Sequence, residues 1–483
     1  MHIFSGIKDA MTRHFLLALA TAICCGVSEP ALADTQVQIT ADFRLQMNSW
    51  TRYNFTGWDA TGQKSAQPLT IYERFRERFD FIASDWVKFR FRLNIRNANW
   101  GGAMAVDNPP GSIDVSNAYL IFTVPDTGVR LDAGFQDWNI PLNPFFANAK
   151  VLGSRVAALV VTAPVAADLF SLGFGYLKPR QTYADFSPGT GGNAANFDAF
   201  YLAATVTTAA LDITPWGAFG MIGRDTSPLS SVGTQMLPAI PAVAGLPASW
   251  ANNVNDAFWI GSSVDVKVFS PITFYADIIY GNAAFGDHGY DNRRGAFLDA
   301  ALSYSGLAFA TPSLWGFWST GDTGGILGGS ERMPYRIFGW NAGNSFLFND
   351  DHNEWYRDKL NVNQVGAWGL GFTLDKIGFA TDLSHRLTVN FANGTNSPHA
   401  LREGIALAGI GNSYGMGLSL ASSEWVYGVE CDNQYEIRKN LSLYGNLGWA
   451  HGDFDSTLWG HRFVNQAQGG DVWRIVLGLK YFF

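Results

Sequence analysis

From Val37 onward the chain alternates. Val37, Ile39, Ala41, Phe43, Leu45 and Met47 fall on one face, and Gln38, Thr40, Asp42, Arg44, Gln46 and Asn48 on the other. A period of two gives a strand one apolar and one polar surface. The pattern returns with Val87, Phe89, Phe91, Leu93 and Ile95 against Lys88, Arg90, Arg92, Asn94 and Arg96. Further runs at 69–82, 113–124, 129–138, 168–177, 196–208, 211–222, 257–269, 272–283, 295–306, 309–320, 365–374, 376–392, 424–437, 440–451 and 471–483 bring the total to about seventeen. Many reach ten residues or more. Globular strands average about five or six, whereas a tilted strand crossing a bilayer needs about nine to eleven.

The links between runs are sorted by length. Ala83-Ser84-Asp85, Pro125-Asp126-Thr127-Gly128, Ser270-Pro271 and Arg438-Lys439-Asn440 are short; 51–68, 99–112, 139–167, 223–256, 321–364 and 393–423 are long. Short periplasmic turns and long outer loops predict an all-β fold, a transmembrane antiparallel β-barrel of the outer membrane. The last run places Trp473, Ile475, Leu477, Leu479, Tyr481 and Phe483 on one face and ends on Phe. It resembles the sorting signal of bacterial outer-membrane barrels. Trp50, Trp86, Trp138 and Trp449, near strand ends, are expected in the aromatic girdles at the lipid boundaries. Because bacterial barrels have even strand numbers, about seventeen runs imply 16 or 18. Sixteen is the expectation, since it leaves each hairpin about 56 residues and room for long loops; eighteen is the alternative.

Composition narrows the class. Of 483 residues 47% are hydrophobic, 14% aromatic and 15% charged. Soluble domains carry about 25% charge, and disordered chains are poor in aromatics. A net charge of −8 argues against a nucleic-acid partner. The mean hydropathy of +0.01 suits a chain whose strands are apolar on one side only. Residues 1–33 read as a secretory signal peptide, with Lys8 and Arg13 at the positive end, an apolar run from Phe15 to Val27, and Ala31-Leu32-Ala33 before Asp34. Met11 offers a second start. Cleavage leaves Cys431 as the single cysteine, so no internal disulfide is expected. Beyond the signal no apolar run reaches the roughly 18 residues of a spanning helix; the nearest, Val156 to Phe170, contains Pro164 and Asp168. Residues 34–483 are then one barrel domain.

The layout, together with the run Asn117-Ala118-Tyr119-Leu120-Ile121-Phe122-Thr123-Val124-Pro125 through Leu131-Asp132-Ala133-Gly134-Phe135-Gln136-Asp137-Trp138, resembles the outer-membrane homotrimeric porins of sulfate-reducing Gram-negative bacteria. That resemblance implies a trimeric barrel passing small hydrophilic solutes passively, with outer-membrane lipid and lipopolysaccharide around it. It implies no cofactor and no enzymatic activity.

The charged residues suggest which solutes. Strand 69–82 carries Arg74, Arg76 and Arg78 on one face, and the next carries Lys88, Arg90, Arg92 and Arg96. A cation on the lipid face at mid-membrane costs about 2–4 kcal/mol, so all of them are expected to line the pore. Arg44 and Arg130 extend the patch, which would concentrate anions. General porins set such a wall against acids on a loop folded into the lumen. The loop in the matching place, 139–167, has Lys150 and Arg155 and no Asp or Glu, which leans the expectation toward weak anion preference. Asp42 and Asp80 are the acids nearest to hand for pairing. On the other face of strand 69–82, Glu73 and Glu77 stand among Leu69, Ile71, Phe75, Phe79 and Phe81. Carboxylates facing lipid point to a subunit interface there; a local bulge that flips the register is the alternative.

Other motifs carry less. Gly411-Asn412-Ser413-Tyr414-Gly415 matches a nucleophile elbow but lacks the strand-to-helix setting that motif requires. The mature histidines form no close ligand pair, so no metal site is expected. Asn349-Asp350-Asp351-His352-Asn353-Glu354 reads as a solvated loop face, and Leu237 to Pro247 as a packed, proline-rich loop. The rival functions are a substrate-specific channel of 18 strands and an outer-membrane hydrolase, for which no spacing of Ser, His and acid speaks.

Overall fold

The computed structural model describes residues 35–52, 55–57, 69–100, 113–140, 143–146, 151, 153–166, 168–180, 196–223, 254–284, 292–324, 328–334, 362–408, 416–417, 419–468 and 470–483. Residues 1–33, where a signal peptide is expected, Lys150, and the segments 237–247, 349–354 and 411–415 lie outside them. So does the side chain of Arg96.

Eighteen strands close into one antiparallel barrel. They are β1 (Gln36–Thr51), β2 (Leu69–Ile82), β3 (Val87–Asn99), β4 (Ile113–Thr123), β5 (Arg130–Asn139) and β6 (Gly153–Ala166), followed by β7 (Phe170–Arg180), β8 (Phe197–Thr207), β9 (Leu211–Gly223), β10 (Val254–Val266), β11 (Ile272–Ala284) and β12 (Asn292–Tyr304). The circuit continues through β13 (Thr311–Ser319), β14 (Ala367–Ala380), β15 (Leu383–Gly394), β16 (Trp425–Arg438), β17 (Leu441–Asp453) and β18 (Val472–Phe482). Each strand pairs with its sequence neighbours, and β1 pairs with both β2 and β18. The ends meet at Ala41, whose N–H donates to the Phe483 carbonyl at 2.7 Å. Among the described residues three short helices, α1 (Pro398–Ala408), α2 (Ser456–Trp459) and α3 (His461–Gln468), lie in the long connections.

The strand number corrects the expected 16 to 18, and the missing strand is β6. Its apolar run from Val156 shows no clean alternation because it is apolar on both faces. Val156 and Ala158 are buried inward in one cluster with Trp138, Phe146 and Val151, while the outer face carries Ala157, Leu159, Val161, Ala163 and Val165. A strand covered on both sides reads as a continuous apolar segment. The connection expected at 139–167 therefore shrinks to 140–152. A smaller shift affects β14 and β15, which turn at Thr381 and Asp382 rather than near residue 375.

Alternation sorts the side chains as an outer-membrane barrel requires. Outward residues such as Ile260, Ile278, Leu314 and Leu477 are exposed, whereas their inward neighbours Trp259, Phe297, Trp315 and Val476 are buried. Near the short-turn end, Phe79, Phe81, Phe89 and Phe91 form an outward aromatic cluster with ring centroids 6.2–6.4 Å apart. Trp86 stands exposed in the adjacent turn. Trp50 and Trp138 depart from the expected girdle: both point inward and are buried, Trp50 beneath the Arg474 guanidinium 5.2 Å from its ring.

Candidate functional site: the charged inner wall

Register, more than sequence distance, assembles the site. Across β1 and β2, Arg44 stands opposite Arg74 and Asp42 opposite Arg76; across β2 and β3, Arg78 stands opposite Arg92 and Asp80 opposite Arg90. Like charges directly opposite each other are unfavourable, so the carboxylates between them matter. Asp42 accepts from Arg74 Nη2 at 2.9 Å and Arg76 Nε at 2.8 Å, with Arg44 Nε at 3.4 Å. Asp80 takes Arg90 in a two-point bond at 2.7 and 2.9 Å, with Arg78 Nε at 3.8 Å. Two carboxylates are thus shared among five guanidiniums, and the wall stays positive. Lys88 shares this inward face, opposite Ile121 of β4.

Barrel closure adds two cations that sequence reasoning missed. Lys480 stands opposite Arg44, and Arg474 opposite Trp50. Arg474 is fully buried, with Nε 3.3 Å from Asn48 Oδ1, and Lys480 donates to Gln434 at 2.7 Å. Their signal was present in the last strand, where both occupy the face opposite the apolar one. What was lacking was the pairing of β18 with β1.

The remaining predicted positions scatter. Arg130 faces inward two strands from β3, and its two-point bond goes to Asp132 of its own strand, at 2.8 Å for both contacts. Arg96 falls on β3. Arg155 does not belong to a lumen loop. It lies on the outward face of β6, opposite Asp137, with Asp137 and Asp114 each 3.7 Å away. The reason is the missed strand: the segment holding Arg155 pairs in the wall. Arg92 reaches Asp137 as well, at 2.6 Å. Glu73 and Glu77 face outward as expected. The adjacent bulge inserts its extra residue into β3, opposite Glu73 and Phe75, while β2 keeps an unbroken register with β1. Glu73 accepts from Trp100 Nε1 at 2.7 Å; Glu77 stands between Ala41 and Leu93.

A connection does fold inward. After β5, Asn143 donates to Asp277 of β11 from its backbone N–H at 3.2 Å and from Nδ2 at 2.8 Å. Its Oδ1 accepts the N–H groups of Phe145 and Phe146. Phe145 stacks on Tyr275 of β11 with centroids 5.6 Å apart, and Phe146 is buried. Because β11 lies six strands beyond β5, this segment crosses the lumen. Asp277 itself belongs to a second wall of inward carboxylates: Asp265 stands opposite Asp212, and Asp277 opposite Asp299. These strands, β9 to β12, lie across the ring from β1 to β3. A cationic wall therefore faces an anionic one. Among the described residues, no group of three or more His, Cys, Asp or Glu is arranged to hold a metal ion.

Neither a protein-family model nor a curated protein sequence matches the chain. Solved structures do. The outer membrane protein OprD of Pseudomonas aeruginosa superposes with a TM-score of 0.51 at 13% identity, covering 95% of this chain and 97% of that one. OpdL of Pseudomonas aeruginosa gives 0.51 at 11%, covering 94% and 99%. The outer membrane protein OpdK of Pseudomonas aeruginosa gives 0.50 at 11%, covering 92% and 99%. The likeness spans the whole barrel and is one of fold.

Proposed function

We propose that this chain is a passive diffusion channel of the outer membrane for small hydrophilic solutes, with a weak preference for anions. The observation that carries it is the inner wall of β18 and β1 to β3, where two carboxylates serve five arginines. A surplus of fixed cations along a water-filled passage raises the local anion concentration. The carboxylates on β9 to β12 oppose it, and for that reason the preference is weak. Lys88 and Arg130 extend the lining along the same wall.

A second reading, a channel selective for one solute class, is favoured by the count of eighteen strands and by the inward segment pinned to Asp277 by Asn143. Such a segment narrows the passage and sets its electrostatics at one level. We further propose a homotrimer with contacts over Glu73 and Glu77, since a second subunit spares these carboxylates contact with lipid. Around the trimer lie outer-membrane lipid and lipopolysaccharide.

Planar-bilayer recording of the purified protein under a salt gradient tests the function. Discrete ion-conducting steps with a reversal potential on the anion side are expected. An absence of conduction overturns the channel, and clear cation preference overturns the role given to the arginine wall. Unheated gel migration tests the trimer, which a sample running only as monomer contradicts.

A further inference from the structure

The outer surface of β11 to β13 bears a groove of about 470 Å³ lined by Tyr280, Arg294, Ala296, Trp318, Thr323 and Glu331 among others. It lies at the long-loop end of the strands, just beyond a lipid-facing band of Ile278, Leu298, Leu302 and Leu314, all exposed. Strand register explains its form. Ala296 sits between Tyr280 of β11 and the end of β13, and Leu298 pairs with Trp318 one step below. A residue with a single methyl thus makes the floor between two aromatic walls, both open to the surroundings. Arg294 closes the upper end. Among the described residues its guanidinium has no hydrogen bond or ion pair, although its backbone N–H is held by the Ser330 carbonyl at 2.9 Å. Glu331 Oε2 is engaged by the N–H and hydroxyl of Thr323.

We propose that this groove binds the phosphorylated glycolipid of the outer leaflet, with a headgroup phosphate on Arg294 and acyl chains lying over Leu298, Leu302 and Ile278. The inference rests on the chain being an outer-membrane barrel. Three features select this ligand. An unpaired guanidinium at the rim offers a two-point bond that suits phosphate geometry. Trp318 and Tyr280 present flat faces at the depth where aromatic side chains meet sugar and headgroup. The groove also opens directly onto the apolar band, so one molecule spans charge, ring and hydrocarbon in the order the surface presents them. The inner arginines are shared with Asp42 and Asp80; among the described residues Arg294 has no such competitor. The free oxygen of Glu331 accepts a sugar hydroxyl in this arrangement.

The test is binding of bisphosphorylated lipid A to the detergent-purified, folded protein, followed by native mass spectrometry and titration. Wild-type protein is expected to retain lipid A. Arg294→Gln, an exposed change that leaves the fold intact by unheated gel migration, should weaken it about tenfold, the worth of a charge-assisted phosphate contact. Ala296→Trp should abolish it by filling the floor, and lipid A stripped of phosphate should bind wild-type protein no better than Arg294→Gln binds the intact lipid. Lipid A binding unchanged in both variants overturns the site. Full competition by inorganic phosphate overturns the lipid in favour of a free anion. Conduction by the wild-type protein is scored separately, so failure of the channel reading and failure of this site give different results.

Discussion

Arg92 Nη2 lies 2.6 Å from Asp137 Oδ2 although β4 stands between their strands. The contact marks a place where the wall is closed by side chains. β4 runs from Ile113 to Thr123, but its ladder with β5 covers only Ala118 to Thr123. Above that fork Asn117 Nδ2 also meets Asp137 at 3.3 Å, and Arg155 stands 3.7 Å from Asp114. Asp137→Ala should therefore lower barrel stability by about 1 kcal/mol, at the upper end for partly exposed ion pairs. Asp132→Ala removes a similar bond to Arg130 where the ladder is complete, and should shift stability by no more than about 0.5 kcal/mol. Urea midpoints of the two variants are the measurement. Equal effects would mean that the fork adds nothing.

Gly134 lies at the root of that fork with φ +133°. A Cβ there would stand 2.5 Å from the Ala118 carbonyl oxygen and 2.8 Å from Tyr119 Cα. Both are backbone atoms that cannot step aside. Gly134→Ala is expected to cost about 1–3 kcal/mol and to lower the temperature at which the folded gel band disappears. A wild-type melting temperature would show that β5 can straighten.

The segment held by Asn143 should control conduction. Asn143→Ala removes both side-chain functions, the bond to Asp277 and the acceptor for Phe145 and Phe146. Larger and noisier single-channel steps are expected as the segment loosens. Steps of unchanged size and noise would mean that Phe145 and Phe146 hold it alone.

Selectivity should follow Arg78, whose side chain is 41% exposed and only 3.8 Å from Asp80. Arg78→Glu puts a third carboxylate beside Asp42 and Asp80 while leaving the tight Arg90 pair intact. The reversal potential should move toward cations. The triple change Arg74/Arg76/Arg78→Ala should move it further, because Asp42 then keeps only Arg44. Unchanged potentials in both would remove this wall from permeation.

Glu424 gives a pH dependence at the long-loop end. Its carboxylate accepts from Ala421 N at 2.8 Å, Asp455 N at 3.0 Å and Trp459 Nε1 at 2.5 Å, joining the end of one loop to α2. Burial pushes it up to about 7 from its ordinary 4.5, against the pull of those donors. Between these values the folded protein holds a proton that the unfolded chain has released. The contribution to stability is complete below pH 4.5 and is lost as pH rises through about 7, a span worth about 3 kcal/mol. Wild-type stability should thus fall from pH 5 to pH 8 more steeply than that of Glu424→Gln. Parallel pH profiles would place the carboxyl's titration elsewhere.

Much of the barrel was legible because alternation is a local property: a strand facing lipid and water must change polarity at every residue. β1, β3 and β18 each announced themselves in this way. β6 did not, since Trp138, Phe146 and Val151 cover its inner side and erase the contrast. Arg155 went with it, assigned to a loop because the strand carrying it was invisible. The arginines of β2 and β3 could be joined from sequence across a three-residue turn. Arg474 and Lys480 could not, because the bond joining β18 to β1 spans more than four hundred residues.

What the chain determined by itself is the two-sidedness of each strand, and with it the class of fold, since the cost of a charge in lipid is paid residue by residue. Only the closed structure decided the number of strands, the meeting of the two ends, the wall of carboxylates across the lumen and the hold of Asp277 on Asn143. Those depend on which strands become neighbours and which face each other across the ring, and closure alone sets that.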